Sequence, residues 1–434
     1  MRHILIVMYS ASPPSRRFSL VVAMSGAALS LLPVGSASGS VLKAGTSASL
    51  VFGTWKRIPS GPLSARSGQA ALWTGSRFLI WGGQEVTQPE PSSDMFNDGA
   101  LFDPRTDRWT IMPRSPLSPR DQVAAVWTGH EALLWGGQTE DTASTPADSN
   151  SGAAYDPATR RWSRLPASPL SPRSDATALW TGTEAIFIGG DSPPGSAPSR
   201  GNGLDVDGAL YDPTTRRWSR LPPLPRKGLG SPNGMTAVWA GTKLIFWGVF
   251  ESTTYLGSNT TETRLRTLSA EWTPGQRSWR RLSNSANVAI GGATATWLSG
   301  RVVLVGGSNG GAGPGPPPRL TGSVALYDPA TNRWTTSPQS VVLTSPELVA
   351  SIGTDLAIVN ETAEITGPGV NLQPGDGVLF NPKLDRITAL PPAPSTLMGT
   401  SASMVWTGHG LVMWGVIGDT TKTFGLELPQ PRPA

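Results

Sequence analysis

The sequence of 434 residues contains no cysteine and only three histidines. The absence of cysteine excludes disulfides, thiolate metal sites, iron–sulfur clusters, cysteine nucleophiles and a lipid-anchored N-terminal cysteine. With only His3, His130 and His409 available, a metal centre built from several histidines is close to excluded as well. We therefore expect no cofactor and no bound metal.

Charged residues are also scarce, at 15% of the sequence against about 25% in an average domain. The formal net charge is +5. Without Arg2, Arg16 and Arg17, which precede the folded part of the chain, 32 basic and 30 acidic residues leave a net charge of +2. So weak a bias predicts neither a nucleic acid nor an anionic membrane as the partner.

Glycine and proline are abundant, with 50 and 41 residues. Both residues break helices, so this composition favours a chain rich in turns over a helical bundle or a coiled coil. No segment beyond the N-terminal region is long and apolar enough to cross a bilayer. We expect no stable membrane span after removal of that region.

The N-terminal segment has the three parts of a secretory signal. Arg16 and Arg17 precede an apolar run over residues 18–34, and small residues follow at 35–38. We predict a signal peptide over residues 1–38, of twin-arginine or general secretory type, followed by a linker at 39–49. A retained anchor is the alternative. Export without cysteine is typical of a secreted or periplasmic bacterial protein.

The remainder of the sequence consists of about seven copies of one sequence repeat. The turn glycines that mark the copies are Gly75, Gly129, Gly182, Gly241, Gly300, Gly353 and Gly408. A tryptophan near the end of each copy stands at Trp55, Trp109, Trp162, Trp218, Trp279 and Trp334, and Ile387 takes the next equivalent place. The tryptophan spacing of 53–61 residues indicates a repeat architecture.

Each copy predicts four short strands. In the third copy they cover residues 175–180, 184–188, 208–211 and 217–221, and glycine or proline bounds each run. Four antiparallel strands in a repeat of this size are typical of a propeller blade. Because a single sheet cannot bury both faces, the blades must stack, and we expect the tryptophans to fill the space between them.

The repeated phrase resembles the kelch repeat. Its third copy has Gly189-Gly190 after a hydrophobic strand, then Tyr211-Asp212-Pro213, then Trp218 six residues after the aspartate. The resemblance covers residues 50–428, leaving a tail at 429–434, and implies an all-β, seven-bladed propeller with four antiparallel strands per blade. The copies that depart from the phrase carry Gly248-Val249 and Trp272-Thr273-Pro274 in the fourth, Val359-Asn360 in the sixth, and Trp414-Gly415-Val416 in the seventh.

The two ends of the repeat region complement each other. The seventh copy lacks a final tryptophan strand, whereas residues 51–59 form a tryptophan strand that belongs to no copy. We predict that this N-terminal strand completes the last blade and closes the ring, which removes exposed sheet edges. A six-bladed ring with a loose terminal hairpin is the alternative.

Strand parity divides the connections between two faces. Links after strand two and links between blades lie at one end of the blades, and they are long and variable. The links that follow strand two cover residues 84–98, 138–151, 191–207, 250–268, 308–321 and 360–376. Many variable loops on one face predict a recognition surface.

Four arginines recur on the predicted long-loop face. Arg66, Arg120, Arg173 and Arg226 are spaced by 54, 53 and 53 residues, just before the innermost strand. Converging guanidiniums there would bind a carboxylate or phosphate, and we predict these four as ligand-binding residues. The alternative is a structural role, in which each arginine pairs with loop carbonyls or with Asp121 and Asp175.

The sequence favours a binding or scaffold module for a protein or glycan, acting as a monomer through its long-loop face. The alternative is a carbohydrate-active enzyme at the propeller mouth. The resemblance to galactose oxidase fails because its copper site requires a tyrosine crosslinked to cysteine. A resemblance to N-acetylneuraminate epimerase implies a carboxylate-binding arginine and an acid–base pair, and no such pair is evident.

Overall fold

The structure is a computed structural model that describes residues 53–86, 94–140, 146–192, 204–257, 260–282, 293–305, 323–340, 348–359, 365–367, 370–372, 377–391, 402–417 and 420–427. Every regular element in these ranges is a β-strand, which confirms the all-β class. The predicted signal peptide, linker and tail lie outside the described residues, as do large parts of the predicted long links. Within the described part, no helix has the length and apolarity needed to span a membrane.

The strands are short for the most part. In chain order they are β1 (Trp55–Ile58), β2 (Arg66–Ser67), β3 (Ala70–Trp73), β4 (Phe78–Trp81), β5 (Gln84–Glu85), β6 (Gly99–Asp103), β7 (Arg108–Ile111), β8 (Arg120–Asp121), β9 (Ala124–Trp127), β10 (Ala132–Trp135), β11 (Gln138–Glu140), β12 (Pro146–Asp148), β13 (Gly152–Asp156), β14 (Arg161–Arg164), β15 (Thr177–Trp180), β16 (Ala185–Ile188), β17 (Gly208–Asp212) and β18 (Arg217–Arg220). They continue with β19 (Ser231–Trp239), β20 (Leu244–Gly257), β21 (Thr260–Trp272), β22 (Arg280–Arg281), β23 (Thr294–Leu298), β24 (Arg301–Val305), β25 (Ser323–Asp328), β26 (Arg333–Ser340), β27 (Leu348–Ile352), β28 (Asp355–Val359), β29 (Ile365–Gly367), β30 (Val370–Leu372), β31 (Gly377–Asn381), β32 (Arg386–Ala389), β33 (Ser403–Trp406), β34 (Gly410–Ile417) and β35 (Thr420–Glu427).

Most of these strands form four-stranded antiparallel sheets, which we number one to seven along the chain. Their strand orders are β3-β4-β6-β7, β9-β10-β13-β14, β15-β16-β17-β18, β19-β20-β21-β22, β23-β24-β25-β26, β27-β28-β31-β32 and β33-β34-β35-β1. In sheet seven the outer strand is β1, and its register pairs Trp55 with Leu426 and Ile58 with Thr423. The first strand of each sheet contacts the first strand of the next, and β33 also contacts β3.

The hydrophobic core lies between consecutive sheets. Strands such as β10 (Ala-Leu-Leu-Trp) are buried along their whole length, because both faces of an inner strand meet a neighbouring sheet. Trp81 and Trp135 end their second strands, Trp247 and Trp414 lie inside the longer β20 and β34, and all four are at most 1% exposed. The interpretation of these tryptophans as core side chains is confirmed.

The late tryptophans connect neighbouring sheets at their outer edge. Trp109 Nε1 donates a hydrogen bond to the Pro59 carbonyl oxygen, at 3.0 Å. Trp162, Trp218 and Trp279 repeat this bond to Pro113, Pro166 and Pro222. Trp55 of β1 makes the same bond, at 2.9 Å, to Pro391, which follows sheet six. These five indole N–H groups are thereby satisfied at the sheet-to-sheet seam, whereas the buried Trp334 Nε1 has no partner among the described residues.

One predicted loop is wrong. Residues 250–268 were expected to form a long link, but they continue β20 and β21 as a hairpin in register from Leu244↔Trp272 to Gly257↔Thr260. Sheet four has Gly248-Val249 where sheets one to three have two glycines, so the chain has no turn signal there. The threonine-rich segment that follows has high β propensity, and the strand therefore runs on.

Candidate functional site

The glycine pairs and the arginines lie at the same end of sheets one to three. Gly83 N donates a hydrogen bond to Arg120 O of the next sheet, and Gly137 N donates to Arg173 O, both at 2.9 Å. We call this end, with residues 66–69, 120–123 and 173–176 and the links after the glycine pairs, the long-loop face. The Thr-Gly turns lie at the opposite end, which we call the short-turn face.

The glycine pairs are required by this close approach. Gly82 and Gly136 have φ of 69° and 77°, in the left-handed region that favours glycine. A Cβ atom at Gly82 would lie 2.8 Å from the Arg120 carbonyl oxygen, and one at Gly136 would lie 2.7 Å from the Arg173 carbonyl oxygen. Neighbouring sheets therefore meet through backbone at this end.

Arg66 lies in a closed socket formed by its own sheet. Its side chain is fully buried, and its NH1 donates to Gly82 O at 3.2 Å and to Asp98 Oδ1 at 2.6 Å. Its Nε donates to Ser64 O, and the Phe96 ring lies 4.0 Å from the guanidinium carbon. The arginine fork thus ties the start of the inner strand to the end of the long link.

Arg173 occupies the equivalent socket in sheet three and has two carboxylate partners. Its NH1 donates to Gly189 O at 3.2 Å and to Asp207 Oδ1 at 2.8 Å, and its NH2 lies 3.2 Å from Asp205 Oδ2. Asp205 is itself 3% exposed and also accepts a hydrogen bond from Ser192 Oγ. This is a buried, hydrogen-bonded ion pair.

Arg120 in sheet two has the same socket without a carboxylate. Among the described residues, its fork donates to the carbonyl oxygens of Ser118 and Gly136 and to the hydroxyls of Ser118, Ser149 and Ser151. The burial of the guanidinium, followed by repulsion from Arg164, lowers the pKa of Arg120 to about 10. Ser149 stands where sheet three has Asp205, and Ser151 stands where it has Asp207.

Arg226 does not occupy an equivalent socket. The three buried arginines each precede the last tryptophan of the first strand by seven residues, and that place in sheet four is held by Pro232. Arg226 lies further upstream, on a turn where its backbone bonds to Leu224 and Leu229, and its side chain is exposed. The even spacing in sequence is therefore not an even spacing in the fold, because the link before sheet four is longer.

The loop carbonyl contacts confirm the structural role considered for Arg66, Arg120 and Arg173. The expected carboxylate partners differ, because the acids that meet the arginines are Asp98, Asp205 and Asp207 instead of Asp121 and Asp175. Adjacent residues on a strand point to opposite faces, so Asp121 cannot face the socket of Arg120. Direct contact of the four arginines with a ligand stays a prediction.

The innermost strands surround a channel whose mouth lies at the long-loop face. Gly68, Gln122 and Asp175 take equivalent places there, two residues after the arginine, all with φ between 51° and 66°. Gln122 N donates to Gly68 O at 2.7 Å, and Asp175 N donates to Gln122 O at 3.0 Å, so one backbone chain joins three sheets. Asp175 is solvent-accessible and lines the channel.

Several aspartates near the mouth have perturbed titration. Asp175 reaches solvent, but protein surrounds its carboxylate on most sides. This desolvation, followed by repulsion from Asp191, Asp121 and Asp148, raises the pKa of Asp175 to about 7. Burial and repulsion from Asp148 raise the pKa of Asp121 to about 7, although a bond to its own backbone opposes this. Burial raises the pKa of Asp148 to about 6. Such shifts concentrate at functional sites.

Sequence reasoning did not single out this group as a binding site. A comparison of the copies could have found it, because sheet one has uncharged residues in the places where sheets two and three have these aspartates. The uncharged residues are Ser67, Gly68, Gln84 and Met95. In the described part of the chain, no three metal-ligating side chains converge on one point. Asp98, Asp205 and Asp207 pair with arginines.

The short-turn face has ordinary turn chemistry. Asp212 accepts hydrogen bonds from the backbone of Thr214 and Thr215 and from the Thr215 hydroxyl, and these bonds, the last above all, lower its pKa. His130 is exposed, and its Nδ1 lies 4.0 Å from Asp156 Oδ1. In these contacts the Asp-Pro aspartates act as turn residues.

Comparison with known proteins finds similarity to kelch-repeat proteins. The KLHDC2/KLHL20/DRC7 Kelch-repeats domain matches residues 39–248. The chain is 23% identical over 226 residues to N-acetylneuraminate epimerase 2 of Escherichia coli O6:H1, covering 45% of this chain and 58% of that protein. It is 23% identical over 301 residues to Kelch-like protein terF of Aspergillus terreus, covering 65% of this chain and 59% of that protein.

Two further similarities complete the comparison. Kelch-like protein 25 of Xenopus tropicalis is 28% identical over 173 residues, which cover 40% of this chain and 26% of that protein. The chain thus spans less than two thirds of the length of the curated relatives it matches. The solved structure of YjhT superimposes with a TM-score of 0.51 and 15% identity, over 76% of this chain and 99% of that one. This last likeness shows the fold alone.

Proposed function

We propose that the chain is a kelch-repeat β-propeller and an exported, monomeric binding module that holds a protein or glycan on its long-loop face, and the kelch match and the propeller neighbour support this. One observation carries the proposal: Gly68, Gln122 and Asp175 of three successive sheets meet at the channel mouth on a continuous backbone hydrogen-bond chain. A rigid mouth bordered by variable links suits recognition, since little freedom is lost on binding.

Seven blades and a closed ring are part of this proposal. In support, seven sheets have four strands each, β33 contacts β3, and Trp55 repeats the tryptophan–proline bond of sheets one to four. The chain has no cysteine, so the double variant Arg57→Cys with Phe424→Cys tests the register pair cleanly. Oxidation should crosslink the folded protein. A six-bladed ring with a loose hairpin would leave both thiols free.

Export is proposed from the sequence of the N-terminal segment. The charged residues, apolar run and small residues of 1–38 predict cleavage between Gly35 and Ser40. Mass spectrometry of the protein expressed in a bacterial host should find a mature chain outside the cytoplasm. An intact Met1 on protein confined to the cytoplasm would contradict export.

We propose that the arginines serve the face in two ways. Arg66, Arg120 and Arg173 hold the links, and exposed Arg226 is free to meet a ligand directly. The double variant Arg120→Ala with Arg173→Ala should reduce stability and leave the affinity of a fully folded fraction unchanged. A tenfold loss of affinity with an unchanged melting temperature would assign these two arginines to direct anion binding instead.

A specific observation keeps the enzyme alternative open. Asp121 and Asp175 have pKa values near 7 at the mouth, where a general acid or base is most effective. An epimerase acting on a sialic acid, as the name of the Escherichia coli relative says of that protein, would also need an arginine for the substrate carboxylate. Incubation with N-acetylneuraminate, followed by NMR of the anomeric signals, tests this directly. If N-acetylneuraminate is turned over and Asp175→Asn abolishes the turnover, an enzymatic function would replace the proposed binding function.

Glycan arrays and pull-downs with the mature protein test the binding proposal. Two matched variants distinguish the faces: Gln122→Arg at the mouth and Thr183→Arg on a short turn. Both side chains reach solvent, so each position can accept an arginine. A true ligand should be lost with the first variant and kept with the second. The reverse result would move the site to the short-turn face.

A further inference from the structure

The aspartates at the mouth are more numerous than the repeat requires. Asp121, Asp148, Asp175 and Asp191 gather where sheet two meets sheet three. Asp121 and Asp148 both pair with Gln138, on either side of β11, and Asp191 pairs with Ser174. The matching places in sheet one are neutral, so the fold forms without these charges. Their presence between sheets two and three, in contrast to sheet one, calls for a functional reason.

The carboxylates of this group have unused acceptors. Asp121 is 6% exposed, and its Oδ1 accepts no hydrogen bond from the described residues. Its Oδ2 would lie 3.2 Å from a Cβ at Gly68, which lines the mouth. Asp148 accepts a hydrogen bond from the Ser174 side chain, but its Oδ1 has no partner in the described part either. A buried carboxylate oxygen without a donor is costly, unless a ligand supplies the donor.

The surrounding charges do not compensate the group. The charge interactions on Asp175 are repulsive and come from Asp191, Asp121 and Asp148. Arg173 attracts Asp148, but its own fork is bound to Asp205 and Asp207. The group therefore leaves a net negative charge at the mouth.

The channel below the mouth has aliphatic and polar walls. Val123, Ala124, Ala176, Val349 and Met404 line it together with Gln69, Thr177, Thr294 and Ser403, and Asp175 is the one charged residue among the lining residues that the structure describes. None of these described residues is aromatic, so they offer a sugar no ring to stack on. The aliphatic part of the wall and the carboxylate at its end match a side chain with an aliphatic stem and a cationic head.

We propose that the acidic mouth between sheets two and three binds an arginine or lysine side chain of a protein partner, with Asp175 as the exposed carboxylate and Asp121 behind it. The proposal rests on the long-loop face being the binding face, and it names the chemistry recognised there. A metal ion is a poorer fit, because no three ligating side chains converge among the described residues.

The first test uses two peptides that differ in charge alone. Acetylated tri-arginine amide is the probe, and the tri-citrulline peptide is its uncharged isostere. Calorimetry at low ionic strength should detect binding of the arginine peptide only, and alanine methyl NMR should show shifts at Ala124 and Ala176. Equal affinity for the two peptides would overturn the proposal, as would shifts confined to the short-turn face.

Matched variants then identify the carboxylate. Asp175 and Asp107 are both exposed aspartates with positive φ, 51° and 52°, and asparagine tolerates that conformation. Asp175→Asn should weaken the arginine peptide about tenfold, whereas Asp107→Asn, on the short-turn face, should stay within about twofold. Gln122→Asp adds an acid to the mouth and should strengthen binding. Unchanged affinity in Asp175→Asn would overturn the proposal.

Two competitors and the screen separate the remaining outcomes. Displacement of the peptide by millimolar calcium chloride at constant ionic strength would reassign the group to a metal and overturn the proposal. Tighter binding of a glucosamine trimer than of tri-arginine would overturn it in favour of an amino sugar. If a partner binds the long-loop face and its affinity for Asp175→Asn is unchanged, only this inference fails. A partner on the short-turn face would instead refute the proposed function.

Discussion

Sheets one to three and sheet four follow the same repeat but end their second strand differently. In the first three, two glycines with positive φ turn the chain, and a buried arginine fastens the link that follows. Sheet four has Gly248-Val249, no arginine in the equivalent place, and a β20 of 14 residues. In sheets one to three the glycine pair and the arginine form one structural unit, and sheet four lacks both. Sheet five has Gly306-Gly307 with Ile290 in the place of the arginine, so the two features are separable in sequence.

This difference between the sheets explains the shape of the long-loop face. Where the unit is present, backbone of one sheet lies against backbone of the next, and the mouth residues are fixed by hydrogen bonds. Where it is absent, the sheet extends beyond the others as a hairpin. The propeller thus presents a rigid acidic mouth on one side and a projecting hairpin on another, from a single repeated sequence.

The largest expected effect comes from emptying the socket of sheet three. Arg173→Ala leaves Asp205 buried without its cation, and breaking a buried pair in this way costs about 3–5 kcal/mol of unfolding free energy. Arg226→Ala, at the exposed arginine, should stay within about 0.5 kcal/mol. Urea unfolding midpoints compare the two. Equal midpoints would show that the arginine sockets do not stabilise the fold.

The next effect tests the glycine pair against sheet four. Gly137→Val introduces the residue that sheet four has in this place. A Cβ there would lie 2.6 Å from Asp121 O, at a φ of 92°. We expect a loss of about 3 kcal/mol, from strain and from separation of the two sheets. Gly75→Ala has positive φ but open space around it, so its loss should be about 1 kcal/mol in the same assay.

The acidic mouth predicts a pH effect of intermediate size. Folding raises the pKa of Asp121 from 3.8 to about 7, so between these values the folded protein binds more protons than the unfolded chain. The contribution of this group to stability is complete below pH 3.8 and is lost as the pH rises towards 7. Asp121→Asn should therefore raise the melting temperature at pH 8 and change it little at pH 4. A benefit of equal size at both pH values would mean that Asp121 does not titrate as described.

The smallest effect is expected at the hairpin of sheet four. Replacement of residues 254–262 by Asn-Gly closes the hairpin at the Thr253↔Thr263 pair, with a turn suited to two antiparallel strands. Since the buried part of the sheet is untouched, the unfolding free energy should change by less than about 1 kcal/mol. A loss as large as that of Arg173→Ala would show that the hairpin belongs to the core.

Much of the fold can be predicted from the sequence because the repeat contains residues with strong local conformational preferences. Gly-Gly and Asp-Pro end strands, and an aromatic residue follows at a fixed distance, so the strands of the third copy are predicted to within about two residues. The extended hairpin was missed because length and variability, which mark a link, also fit a long strand pair once its turn signal is lost.

The candidate site was only partly predictable. Strand parity identifies the end of the sheets where Arg66, Arg120 and Arg173 lie, but not that the chain folds around each guanidinium. Their partners Asp98 and Asp207 are more than 30 residues away along the sequence, and spacing cannot pair them. The group around Asp175 draws members from two sheets, so it exists only after the sheets stack.

Hydrogen exchange measured with and without the first partner from the screen tests the central claim, that this propeller binds through its long-loop face. The account predicts slower exchange in residues 120–125 and 173–178 when the partner is bound, with residues 128–131 and 181–184 unchanged. Protection confined to residues 128–131 and 181–184 would contradict it.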